Sequence, residues 1–153
     1  MDDPFVVGTM IGLAADLPKI AIDFLLYHWR FSEYHCWLMA IKAFFSPDWP
    51  VGIHHWLIGG ALDLTIAGFL GVGLVYFIRL IGPGCFWLKG IAYSMGTWLG
   101  FCLMASGHLL QNPLEVYHSF INHSLWAVVA IYWLAKRERG WLKGSAFWKG
   151  ERP

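Results

Sequence analysis

Four stretches of this chain, at about 5–27, 53–78, 86–110 and 114–135, are dominated by apolar residues over twenty or more positions each. A helix of about 20 residues crosses the roughly 30 Å hydrocarbon core of a bilayer, so the pattern predicts an all-α, polytopic integral membrane protein built as a four-transmembrane-helix bundle. Composition points the same way. Of the 153 residues 58% are hydrophobic and 14% charged, where a soluble domain carries about 25% charged residues. A formal net charge of +1 leaves no footprint for nucleic acid, and three scattered cysteines (Cys36, Cys85, Cys102) form neither a metal-binding spacing nor a disulfide framework.

Pro50, Gly82-Pro83-Gly84 and Asn112-Pro113 break the chain between the apolar blocks. The first block follows Met1-Asp2-Asp3-Pro4, which lacks the basic start of a secretory signal, so it is expected to be a retained helix. Between the first two blocks, the segment at about 35–45 (HCWLMAIKAFF) is apolar but about half a span long and carries Lys42. It predicts a short interfacial or re-entrant helix. Residues 1–135 thus form one transmembrane bundle, and 136–153 a basic, Trp-containing tail.

Six of the eleven Lys and Arg residues (Lys136, Arg137, Arg139, Lys143, Lys149, Arg152) follow the fourth block. The positive-inside rule then places the C-terminus in the cytoplasm, and four spans place the N-terminus there too, in the plasma membrane. Arg79 and Lys89 flank the turn between blocks two and three on that side, while Arg30 and Lys42 run against the rule. Many of the ten Trp residues fall where interfacial belts belong. The tail's Trp141, Leu142, Phe147 and Trp148 suit either an anionic leaflet or a solvated tail.

Polar and small residues share one edge of each predicted span. Gly8, Gly12, Asp16, Lys19, Asp23 and Tyr27 fall within about 100° of arc on a helix. Block two places Gly59, Asp63 and Ala67 on one side, block three carries Gly96 and Gly100, and block four carries Glu115, His118, Asn122 and Trp126. Gly8-x-x-x-Gly12 and Gly96-x-x-x-Gly100 are candidate helix-packing edges, within the bundle or between copies in a homo-oligomer. Counted along the helices, Asp16, Lys19, Asp63 and His123 lie near mid-membrane. Ionisable groups at that depth face the bundle interior and mark a functional site by default. Three carboxylates (Asp16, Asp23, Asp63) meet one lysine, leaving an excess negative charge that a proton, a small cation or water must meet. The seam Asp16, Lys19, Asp23, Asp63 and His123 is the candidate site for that proton or cation. The alternative is structural glue, with Lys19 bridging Asp16 or Asp23 to Asp63.

His28, His35, His54, His55, His108 and His118 crowd the outer third, which raises a metal-site reading. Glu115-x-x-His118 puts two ligands on one helix face, and His54 or His55 could add more. His118-x4-His123-Ser124 resembles the spacing in a family of membrane-bound, metal-using hydrolases, although that family's paired aspartates are missing here. No nucleophile elbow, phosphate loop, dinucleotide glycine motif or redox cysteine pair occurs. No cofactor is predicted, and the one candidate is a metal ion at these outer residues.

The landmarks Gly8-Thr9, Gly12 and Lys19, then Gly59 through Asp63, Gly71-Val72, Tyr76 and Arg79, then Lys89-Gly90, Gly96 and Trp98, and finally His123, resemble a family of small four-span membrane proteins from Gram-positive, spore-forming bacteria. The resemblance runs from about residue 8 to 130 and implies the four-helix topology. It implies no activity. Asp23 and the Trp-rich basic tail depart from that pattern. The expected role is a non-enzymatic membrane component with the lipid bilayer as its first partner, against the alternatives of a metal-dependent membrane hydrolase or a scaffolding protein.

Overall fold

A computed structural model describes residues 3–32, 34–45, 52–82, 84–104 and 113–137, with the side chains of 42–44, 104 and 115 excepted. These residues form five helices: α1 (Pro4–His28), α2 (Cys36–Phe44), α3 (Ile53–Ile81), α4 (Phe86–Met104) and α5 (Pro113–Arg137). No strand occurs among the described residues. The expected end of the third block, 105–110, lies outside the described residues.

Local chemistry sets the helix ends. The Asp3 carboxylate accepts from Phe5 N at 2.8 Å and Pro4 occupies the first turn, where its missing N–H costs nothing. α1 continues unbroken through Pro18, whose missing N–H removes one intrahelical hydrogen bond without ending the helix. His35 begins α2, its Nδ1 accepting from Leu38 N at 3.3 Å. At the far end of α3, Gly82 adopts φ 81°, a left-handed conformation that suits glycine. Lys89, from the first turn of α4, donates to the carbonyls of Ile81 and Gly82 at 3.0 and 3.1 Å, neutralising the negative end of α3 and tying the α3–α4 turn.

α1 is central. It packs most extensively on α3 and next on α5, while α2 lies against α3 and α4 leans on α5. The α1–α3 crossing is close because it has almost no side chains: a Cβ at Gly8 would run into the Val72 backbone, one at Gly12 into Ala67, and one at Gly71 into the backbones of Gly8 and Gly12. Gly96 and Gly100 differ. A Cβ at either would meet nothing within 4 Å, so that edge of α4 takes no part in the packing of the described residues.

The interior divides along the helix axes. Around the N-terminal half of α1 it is apolar, with Val7, Ile11 and Ala15 against Leu74, Val75 and Ile78 of α3 and Trp126, Ala130, Ile131 and Leu134 of α5. Trp126 joins this layer to α1 by donating from Nε1 to Gly12 O at 3.1 Å. Toward the other end the buried residues become Asp16, Lys19, Asp23, His55, Asp63, His118 and Asn122. The outside is apolar instead: Met10, Leu17, Leu57, Phe69, Leu80 and Leu103 are each more than 60% exposed. Two of the helices, α1 and α3, are long and apolar enough to cross a membrane.

Candidate functional site

Lys19, one turn beyond Asp16 on α1, is held between two carboxylates. Its Nζ lies 2.7 Å from Asp16 Oδ1 and 2.7 Å from Asp63 Oδ1 of α3. Asp16 is fully buried, and Lys19 and Asp63 are 9% and 8% exposed. The close α1–α3 crossing brings the Asp63 backbone near enough for this bridge. Of the two sequence alternatives, the structure shows Lys19 joining Asp16, not Asp23, to Asp63.

Asp23 sits in a separate network that ties three helices together. Its Oδ2 accepts from Cys36 N at 2.6 Å, which docks the first turn of α2 onto α1. Its Oδ1 accepts from Asn122 Nδ2 at 2.6 Å and lies 2.9 Å from His118 Nε2. Asn122 turns its amide NH2 to the carboxylate because two facing oxygens would repel, and this leaves its Oδ1 pointing elsewhere. Asp23 is entirely buried, yet three donors answer it, so its charge needs no further partner.

Between the two networks lies a cavity of about 110 Å³, bounded by Lys19, Asp63, Asn122 and His123 with Cys36, Met39 and Ala40 of α2 closing one side. It has room for a few waters, each of which occupies about 30 Å³ in the liquid. Asp63 Oδ2, Asn122 Oδ1 and His123 Nε2, which belong to residues that line the cavity, are buried and have no hydrogen-bond partner among the described residues. Buried polar atoms are nearly always partnered, so three unmet ones on the residues of one small space are an exception to the rule. His123 also lies against Phe101 of α4, ring centroids 5.8 Å apart.

Asp16, Lys19, Asp63 and His123, placed at one depth by the sequence, share this region, whereas Asp23 belongs to the neighbouring network. Asn122 joins both, and its sequence signal was its place four residues after His118 on the polar edge of α5. Among the described residues no group of three or more His, Cys, Asp or Glu is placed to hold a metal ion. His118 turns inward to Asp23, His54 is exposed, and His55 is buried with its Nδ1 2.7 Å from Gly52 N at the start of α3. The Glu115 side chain and His108 lie outside the described residues.

His35 is instead part of an aromatic cluster at the C-terminal end of α1, its ring 5.2 Å from Phe24 and 4.3 Å from Trp56, which lie 5.6 Å from each other. Burial holds its imidazole below its ordinary pKa, with the Asp23 and Asp63 carboxylates pulling the other way. Burial likewise pushes the adjacent Cys36 thiol up, aided by Asp63, so it remains an unreactive thiol. Comparison with protein-family models, curated proteins and solved structures finds no match to this chain. The reading of the site therefore rests on its own geometry.

Proposed function

We propose that this chain is a four-span integral membrane protein of the plasma membrane, both termini cytoplasmic, whose interior cavity takes up and releases a proton. The membrane reading is supported by the ions and amides buried in one half of the interior and the large apolar side chains exposed over the outside. α1 and α3 supply two spans. α4 and α5, with 19 and 25 residues, are about 28 and 37 Å long, enough for the other two. α2, with nine residues, does not span and covers the cavity. The open Gly96 and Gly100 edge suits contact with a second copy.

The observation that carries the functional reading is the cavity itself, lined by a lysine that two carboxylates share and by residues that carry three unpartnered polar atoms. Asp16 and Asp63 bring two negative charges against one positive, and an unbalanced charge in a bilayer interior costs several kcal/mol. A metal cation would enter beside the Lys19 ammonium and find only two unmet oxygens, well short of the six or so that hard cations gather. A proton meets the same excess without that repulsion, and water in the cavity would carry it. The protein is accordingly a non-enzymatic, proton-handling membrane component.

Proton flux into liposomes under an imposed potential tests this, comparing wild type with Asp63→Asn. Flux that vanishes in a still-folded variant is the expected result. Absence of flux from both proteins, with the variant melting lower, would make the ions structural glue.

A further inference from the structure

Of the five helices, α2 alone is too short to cross a bilayer, nine residues or about 14 Å. It can therefore leave the bundle without carrying a span with it. It closes one side of the cavity with Cys36, Met39 and Ala40, and what fastens it gathers at its first turn. There the Trp37 backbone passes so close to α3 that a Cβ at Gly59 would collide with the Trp37 carbonyl oxygen. The indole lies beside Gly60, where a Cβ would stand 3.3 Å from Trp37 Cε2. The same ring meets Phe24 of α1 edge-on, centroids 5.1 Å apart, and the Cys36 N–H donates to Asp23 Oδ2 at 2.6 Å.

In this seat Trp37 Nε1 is buried and has no hydrogen-bond partner among the described residues. Indole N–H is a donor only, so no rotation of its role removes the deficit. A buried donor left unmet carries a desolvation penalty, and the docked position is the one that bears it. Lifted from α3, the N–H meets water or a headgroup. Undocking gives up the Cys36 N–Asp23 bond and gains that partner, so the polar contributions oppose one another. The ring packing of Trp37 on α3 and Phe24 is then what keeps α2 down.

We propose that α2 is a gate over the cavity, with Trp37 on Gly59 and Gly60 as its latch, and that α2 undocks locally to admit water while the other helices stay folded. The purpose of the gate rests on the proton reading above, because an opened cavity is the one that exchanges protons with solvent. Its motion does not.

Cys36 reports that motion. It is 9% exposed when α2 is docked, so a maleimide gains it when α2 lifts. The test is the rate of Cys36 alkylation by N-ethylmaleimide, read by mass spectrometry on the full-length protein in a nonionic detergent. Below the unfolding transition the rate should stay flat as denaturing detergent is added, the mark of a local opening. In Gly59→Ala, whose methyl displaces Trp37, it should rise about tenfold or more. With 3-benzothienylalanine at position 37, which keeps the bicyclic shape and lacks the N–H, it should fall about tenfold. A rate that climbs with the unfolded fraction from the outset would overturn the gate, as would a benzothienylalanine protein labelled as fast as wild type. Should Gly59→Ala fail to fold, those two readings decide alone. Proton flux on the same preparations separates the two claims. Local opening in a protein without flux keeps the gate and refutes the proton reading, whereas flux from a protein whose Cys36 reacts only through global unfolding refutes the gate.

Discussion

Burying a carboxylate costs several kcal/mol unless its oxygens find donors, and the three interior aspartates meet that demand differently. Asp23 is answered by a backbone amide, an asparagine and a histidine. Asp16 and Asp63 divide one lysine and leave Asp16 Oδ2 and Asp63 Oδ2 without partners among the described residues. That asymmetry makes Asp63, which borders the cavity, the residue to neutralise, and Asp23 a structural joint. His35 carries a pH prediction of its own. The folded protein resists the proton that an unfolded chain accepts near 6.5, so the contribution of His35 to stability is whole above that pH and is lost as pH falls toward its lower folded value. Melting midpoints measured from pH 8 to pH 5 should decline below about 6.5, and the decline should be shallower in His35→Asn, which keeps a helix-capping side chain. Identical profiles would show that His35 takes up its proton without cost.

At the scale of the elements, the α1–α3 crossing is the contact that brings Lys19 to Asp63. Gly71→Ala would press a methyl group into the backbones of Gly8 and Gly12, which cannot step aside as a side chain could. It should cost about 2–3 kcal/mol in unfolding by denaturing detergent, while Gly96→Ala, facing open space, should fall within about 0.5 kcal/mol of wild type. A large loss in Gly96→Ala would reveal a neighbouring copy on that edge. The two GxxxG motifs are alike in sequence and differ in use, because a smooth edge shows only that close approach is allowed. Which helix approaches depends on the order of helices around the bundle. The same reason hid the Asp23 network: the 100° periodicity placed His118 and Asn122 on one edge of α5 but did not say that this edge meets α1.

At the scale of the whole molecule, the topology can be read from a natural reporter. Cys85, in the α3–α4 turn, is exposed, while Cys36 and Cys102 are buried. With the turn on the cytoplasmic side, a membrane-impermeant maleimide should leave Cys85 unlabelled in intact cells and label it once the cells are permeabilised. Labelling of intact cells would reverse the orientation drawn from the basic residues.

Composition and period by themselves determined that the chain is helical, where most helices begin and end, and that polar and small residues share one edge of each predicted span. These are local properties, set by the 3.6-residue repeat and by the residue types that start and stop helices. Only the tertiary structure decided which ions meet. It gave Lys19 to Asp16 and Asp63, and gave Asp23 to Cys36, His118 and Asn122. Partners are chosen by the rotation and order of packed helices, which depend on where glycines allow backbones to touch, and no spacing within one helix encodes the position of the next.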